Sequence, residues 1–202
     1  EGTVTYNGQD VFKMDKAVLA QQRAVLSQQP ALFFPLTVDE VVMMGRYPHF
    51  AFQPGPKDEA ICQQAMERAD MAAFADREYL TLSGGEKQRV QFARVLAQIW
   101  EQKDATRYLF LDEAISHLDL KHQLQLLQVA RQLIREGVTV IAILHDLNLS
   151  MSFGDRILFM KEGQMLADVR DHAAITTDLI KTVFDVEVKL LEQEGGGKVL
   201  VM

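Results

Sequence analysis

A chain of 202 residues, 48% hydrophobic and 24% charged, has a globular composition and enough length to bury about 70% of the surface its unfolded form exposes. Disorder, fibre and collagen are excluded, no repeat at solenoid or propeller spacing is visible, and the length suits one domain with an inserted subdomain. The 21 basic against 28 acidic residues give a net charge of -7 without any lysine or arginine stripe, which disfavours capture of nucleic acid or anionic lipid. Cys62 is the single cysteine, no apolar run reaches spanning length and no signal-peptide pattern opens at Glu1. A soluble protein in a reducing compartment is therefore expected.

Residues 3–12 predict a hairpin, because Asn7-Gly8 supplies the two positive-φ positions of a type I′ turn. Ala24-Val25-Leu26 predicts a short strand running into Ser27-Gln28-Gln29-Pro30, where proline ends regular structure and leaves Gln28 at the strand's carboxyl end. Thr37 and Glu40 form a capping box for a short helix through Val38, Val41 and Val42, broken by a loop containing Pro48, Pro54, Gly55 and Pro56. Ile61, Ala65 and Ala69, four apart, mark a second helix. Ser83 and Glu86 make another capping box, ahead of Val90, Ala93, Leu96 and Ala97. This helical block reads as the insertion. Within it Val38 and Val42 are expected to pack inward, whereas Met43, Met44 and Tyr47 precede the proline loop and are expected to be exposed in a groove for a partner helix.

Tyr108-Leu109-Phe110-Leu111 is apolar at every residue, the pattern of a parallel strand covered on both faces, and Asp112 and Glu113 end it. Leu120, Leu124, Leu127 and Leu133 mark an amphipathic helix closed by Gly137, and residues 138–144 form a second apolar strand ending at His145. A right-handed crossover then puts Asp112, Glu113 and His145 at the carboxyl edge of one sheet, where open α/β folds bind ligands. Farther on, residues 157–160 and 165–167 predict a strand pair around Glu162-Gly163, residues 177–184 a helix, and residues 186–191 and 199–202 a last hairpin.

The most informative string is Leu82-Ser83-Gly84-Gly85-Glu86-Lys87-Gln88-Arg89. Two glycines and a serine at a helix start leave N–H groups unobstructed by Cβ atoms, and the helix dipole adds partial positive charge, so the segment suits a phosphate. A capping box alone specifies only a well-capped helix; the whole string resembles the signature motif of ATP-binding cassette ATPases. Residues 108–112 followed by Glu113 resemble that family's Walker B strand and catalytic glutamate. Ser116-His117-Leu118-Asp119 resembles the D-loop, His145 the switch histidine and Gln28 the Q-loop glutamine. These motifs stand in the family's order, and the resemblance covers nearly the whole chain.

The resemblance implies an α/β P-loop NTPase, with a RecA-like parallel sheet core, an antiparallel β subdomain and an inserted helical subdomain. The divisions it implies are 1–28 for the β element and the strand to the Q-loop, 29–105 for the helical subdomain, and 106–202 for the core and C-terminal hairpin. It also implies ATP and Mg²⁺. Asp112 and Gln28 would hold the metal directly or through water, Glu113 would activate the attacking water, and His145 would sense the γ-phosphate with Gln28 assisting. Ser83, Gly84, Gly85 and Glu86 would meet the nucleotide of a second copy, with Ser116 and Asp119 in the D-loop. Asp119 is also placed to cap the helix beginning at Leu120.

Two departures stand out. No G-x-x-x-x-G-K-[ST] string occurs, and the nearest, Gly195-Gly196-Gly197-Lys198, leads into a strand and reads as a hairpin turn. The Walker A portion is therefore expected to be absent, with Glu1 a truncation point and this chain alone inactive for lack of tight ATP binding. Ala114-Ile115 stands where the family usually has Pro-Thr, and His117 where a small residue is usual.

Residues 34–42, followed by Gly45-Arg46-Tyr47-Pro48-His49, resemble the iron-siderophore, haem and vitamin B12 importer ATPases. The extended stretch 98–107 resembles the hemin importers among them. That implies an ATP-hydrolysing subunit for hemin uptake, with siderophore or B12 import, or a soluble non-transport ATPase, as alternatives. The implied partners are a second copy head to tail, two transmembrane permease subunits and, indirectly, a periplasmic hemin-binding protein. The implied location is peripheral, on the cytoplasmic face of the inner membrane. The histidines His49, His117, His122, His145 and His172 do not cluster by spacing, so direct haem or zinc ligation is not expected.

Overall fold

The computed structural model describes residues 2–27, 32–101, 106–116, 118–192 and 198–201. Gln28, His117 and the Gly195-Gly196-Gly197 turn lie outside the described residues. The chain divides into two compact units, 1–143 and 144–202, each described by itself.

The first unit opens with the expected hairpin: β1 (Thr5–Tyr6) pairs antiparallel with β2 (Gln9–Asp10). Asn7 and Gly8 turn it with φ of 51° and 78°, as a type I′ turn requires. Then Asp15 caps a helix that the hydrophobic pattern did not announce, α1 (Lys16–Gln22), its carboxylate accepting the N–H groups of Ala17 and Val18. The chain continues into β3 (Arg23–Leu26). Far along the sequence, β4 (Arg107–Asp112) and β5 (Val138–Ile143) join β3 in a parallel sheet of order β3-β4-β5. The register sets Leu26 beside Leu111 and Asp112 beside Ile143, so the carboxyl ends of all three strands share one edge. The crossover from β4 to β5 is α5 (Leu120–Arg135).

The expectation that these strands are covered on both faces is corrected among the described residues. Leu109, Leu111 and Val138 are buried, but Phe110 is only half-buried and Val25, Ile141 and Ile143 are exposed. Successive side chains of a strand point to opposite faces. One set packs inward with the helices, while Tyr6, Val25, Phe110, Ile141 and Ile143 surround a shallow cavity of about 280 Å³. Apolar composition alone did not distinguish the two sets.

Between β3 and β4 lies the helical block. Thr37 opens α2 (Val38–Met43) with a complete capping box, its hydroxyl accepting the Glu40 N–H and the Glu40 carboxylate accepting the Thr37 N–H at 2.8 Å. Val38, Val41 and Val42 are all buried. The chain does not break at Pro48; it tightens into 3-10 turns over Met44–His49, with Pro48 inside them. Pro56, at the first turn of α3 (Pro56–Arg68), needs no N–H partner there. The block closes with α4 (Gly84–Gln98), whose buried face includes Val90, Phe92, Ala93, Leu96 and Ala97.

Two adjacent residues lock these elements together. The buried Arg46 donates to Asp58 at 2.9 Å, to the Ala97 carbonyl at 2.8 Å and to Glu101 at 2.8 Å, so its charge is paired and each of its three guanidinium nitrogens donates once. Beside it, Gly45 lets the 3-10 segment touch the backbone of α4: a Cβ there would overlap the Arg94 carbonyl.

In the second unit, Asp146 caps α6 (Leu147–Phe153) through the Leu149 N–H. The strands β6 (Ile157–Lys161) and β7 (Gln164–Val169) pair antiparallel around Glu162-Gly163, both at positive φ. They are followed by α7 (Thr177–Phe184) and by the antiparallel pair β8 (Lys189–Glu192) and β9 (Lys198–Val201). Met151, Phe159, Val169, Ile175, Ile180 and Val183 form its core. Among the described residues no helix is long and apolar enough to cross a membrane.

Gly45→Ala is expected to cost about 1–3 kcal/mol of stability, because the backbones must part to admit the methyl group. A lower urea midpoint at unchanged slope is the expected result; an unchanged midpoint would contradict the close-contact account.

Candidate nucleotide-binding and hydrolysis site

The site builds outward from the end of β4. Asp112 is its last residue and is exposed; the chain then turns at Glu113, whose φ is 51°. Left-handed backbone at a non-glycine residue is uncommon and persists where the surroundings enforce it. Here the surroundings are the next residues, since Ala114, Ile115 and Leu118 are buried and pull the chain back into the core. The turn leaves two consecutive carboxylates at the sheet edge. Ala114 and Ile115 serve as core anchors.

The start of α4 has the geometry its sequence implies. Ser83 is the N-cap; its N–H donates to Glu86 Oε2 at 2.7 Å and its hydroxyl to the same oxygen at 2.7 Å. Hydrogen bonds from the Ser83 hydroxyl and N–H hold the Glu86 carboxyl below its ordinary range. Glu86 thus takes one donor of the helix start, while the first-turn N–H groups of Gly84 and Gly85 have no partner within the helix. A Cβ on Gly84 would meet nothing within 4 Å, and one on Gly85 would lie 3.8 Å from the Leu118 side chain. The glycine pair is therefore open at the first residue and set beside the D-loop segment at the second.

Two glutamines that the sequence reading did not single out fasten these parts. Gln88 on α4 is buried, and its amide donates to the Ala114 carbonyl at 2.9 Å and the Ser27 carbonyl at 3.4 Å. It joins the signature helix to the residue after Glu113 and the residue before Gln28. Gln123 on α5 donates to the carbonyls of Ile115 at 3.1 Å and Leu118 at 2.9 Å, holding the D-loop segment from its other side. Spacing gave one hint for Gln88: it lies four residues before Phe92 and seven before Val95, on a buried side of the helix. Asp119 caps α5 as expected, accepting the His122 N–H at 3.0 Å and pairing with His122 Nδ1 at 2.7 Å. The His122 backbone N–H, then its ring, keep the Asp119 carboxyl below the usual range.

Ser83, Gly84, Gly85, Glu86, Asp112, Glu113, Ser116 and Asp119 all belong to the first unit. His145 belongs to the second, exposed and directly ahead of the Asp146 cap. Gln28 lies outside the described residues. Among the described residues no three His, Cys, Asp or Glu side chains converge on a metal. A single exposed carboxylate such as Asp112 fits Mg²⁺, which keeps most of its waters and takes further ligands from substrate phosphates.

A parallel sheet carrying paired acids at its carboxyl edge, next to a glycine-led helix start, defines a nucleotide-handling α/β protein. The sequence profile of the ABC transporter family matches residues 1–116, and the chain belongs to that family. It is 42% identical over 190 residues to the hemin import ATP-binding protein HmuV of Chelativorans sp. (strain BNC1), covering 94% of this chain and 72% of that protein. To the protein of the same name from Gloeobacter violaceus it is 43% identical over 202 residues, covering 100% of this chain and 74% of that one. Among solved structures, an inward-facing metal-chelate type ABC transporter shares the fold, with a TM-score of 0.76 and 22% identity over 89% of this chain and 72% of that chain. A dimeric ATP-binding cassette with ADP and Pi gives a TM-score of 0.69 at 25% identity, over 84% of this chain and 73% of that one.

Replacing Gln88 by Met, of similar volume, leaves the buried Ala114 carbonyl without its donor and is expected to cost about 1–3 kcal/mol. Chemical denaturation measures this; a loss below the error of the midpoint would show that the amide does not hold the turn.

Proposed function

We propose that the chain is the ATP-hydrolysing subunit of an importer that takes up hemin. In this reading two copies work head to tail beneath two permease subunits, on the cytoplasmic face of the membrane, and receive cargo indirectly from a periplasmic hemin-binding protein. The observation that carries the hydrolytic part is the left-handed turn at Glu113, directly after Asp112 and tied to the signature helix by Gln88. The cargo rests on the hemin import relatives, which match nearly the whole chain.

In this account the Glu113 carboxylate orients the attacking water and takes its proton at a carboxylate oxygen. Asp112, with Gln28 as a further ligand, would hold Mg²⁺ directly or through water, and the ion would neutralise phosphate charge there. Ser83 and the Gly84 and Gly85 N–H groups receive the γ-phosphate of the nucleotide bound to the other copy, with Glu86 fixing the Ser83 rotamer. His145 donates to a γ-phosphate oxygen, and Ser116 and Asp119 carry the contact between copies. The helical segment 29–105 is the part that meets the permease.

Hydrolysis is measured on the protein at its full natural length. Glu113→Gln is expected to lower ATP turnover by about 10² to 10⁴ while leaving ATP binding in place, because the base is lost and the phosphate contacts are kept. Turnover within a few fold of the parent would refute the base assignment.

Ser83→Arg fills the cradle with a cationic side chain and is expected to stop hydrolysis without unfolding. Mixed dimers of Ser83→Arg and Glu113→Gln subunits distinguish the two arrangements. With composite sites, one site receives both changes and the other neither, so about half the parental rate should return. Mixed dimers as inactive as either homodimer would mean that each site is built from a single copy.

A further inference from the structure

The helix start at Ser83 holds one of the protein's own carboxylates. The Ser83 N–H and hydroxyl both donate to a single oxygen of Glu86, Oε2, at 2.7 Å. A γ-phosphate would bring the same kind of group, an anionic oxygen, to the same two donors. Carboxylate and phosphate repel one another when they are a few ångströms apart. Full use of the Ser83 donors by a phosphate therefore requires Glu86 to leave them and to find another partner.

The neighbouring cations differ in their freedom to be that partner. The charges of Arg77 and Arg89 both reach Glu86, adding to the hydrogen bonds from Ser83 that keep its carboxyl ionised. Arg77 is committed: its Nε donates to Thr81 Oγ1 at 3.4 Å, and its guanidinium lies over the Phe74 ring at 5.7 Å. Arg89 is half-buried, its Nε is buried, and among the described residues that Nε meets no acceptor. A buried donor left without an acceptor is unfavourable, so an arriving carboxylate oxygen is favoured there. Arg89 also stands three residues after Glu86 on α4, the spacing at which helical side chains meet. Helical side chains lean toward the N-terminus, which directs Arg89 over the turn that carries Glu86. Its charge reaches Asp119 of the D-loop as well.

We propose that Glu86 is a self-inhibitory occupant of the phosphate cradle and that Arg89 is the positioning residue that receives it, so that the γ-phosphate of the other copy moves the carboxylate from Ser83 to Arg89. The inference rests on the reading of Ser83, Gly84 and Gly85 as the cradle for a second copy's nucleotide, and adds what blocks that cradle in the free subunit. The capping box then has two uses. It holds the start of α4 while no nucleotide is present, and it makes association of two copies depend on a phosphate able to displace Glu86.

The test measures, for the protein at its full natural length, the concentration of a non-hydrolysable ATP analogue with Mg²⁺ that half-converts it to dimer. Glu86→Gln keeps a side chain able to cap but removes the charge, and is expected to lower that concentration about fivefold. Arg89→Gln is expected to raise it about tenfold, because the displaced carboxylate then stays unpaired beside the phosphate. Arg89→Lys, which keeps the charge, should recover part of the loss. In the Glu86→Gln background, Arg89→Gln should change the concentration less than about twofold. The same double-mutant cycle read from urea midpoints without nucleotide should show no coupling between the two positions, because the pair forms only in the dimer. An Arg89→Gln effect of equal size in both backgrounds, or coupling of equal size without nucleotide, would overturn the inference and leave the composite site standing. A parent protein that binds the analogue and stays monomeric would overturn both.

Discussion

The hydrogen bond from the Gln88 amide to the Ala114 carbonyl, 2.9 Å long and buried, is the interaction on which the geometry of the site depends. Parallel strands deliver their carboxyl ends to one edge, and β3, β4 and β5 do so in register. Register says nothing about the loops beyond. Those loops leave the sheet at Ser27 and Glu113, and the Gln88 amide reaches both from α4, so the helix that starts after Ser83 is hydrogen-bonded to the segments that flank the site. An amide suits this role because it presents two donors in a plane and carries no charge that burial would penalise. Arg107 anchors the opposite end of β4, donating to the Ile99, Trp100 and Glu136 carbonyls, so the strand is fixed to α4 and α5 at its start as well.

The electrostatics of the site are a competition between its own carboxylates and the anion it is proposed to bind. Glu86 already occupies the Ser83 N–H and hydroxyl. A phosphate arriving at the cradle would be received by the Gly84 and Gly85 N–H groups and by a serine hydroxyl that turns from Glu86. The helix dipole favours the anion, and the nearby carboxylate opposes it.

Local chemistry was legible in the sequence wherever a side chain acts on its own backbone. Asn7-Gly8 and Glu162-Gly163 turn hairpins, Thr37 with Glu40 and Ser83 with Glu86 cap helices, and Asp119 caps α5, all as read. Two short helices were missed, α1 and α6: Asp15 and Asp146 cap them, but Val18 and Leu149 stand three residues on, where α2 and α4 carry the glutamate that completes a capping box. Pro48 was read as a break, yet it sits inside 3-10 turns, since the Gly45 contact and the buried Arg46 hold that segment against α4. The strands' continuous apolar composition suggested two covered faces, but exposure at Ile141 and Ile143 depends on what packs there, which composition does not encode. The roles of Gln88 and Gln123 were hidden for the same reason: helical spacing could hint that Gln88 is buried, but not which carbonyls its amide meets.

The central claim is that Asp112 and Glu113 of one copy and Ser83, Gly84 and Gly85 of another enclose a single nucleotide. Its most direct test is the structure of the protein at its full natural length with Glu113→Gln, trapped with ATP and Mg²⁺. The account predicts a two-fold dimer in which the γ-phosphate lies between the end of β4 in one protomer and the start of α4 in its partner, within hydrogen-bond distance of Ser83. A nucleotide held entirely within one protomer, with the start of α4 facing solvent, would contradict it.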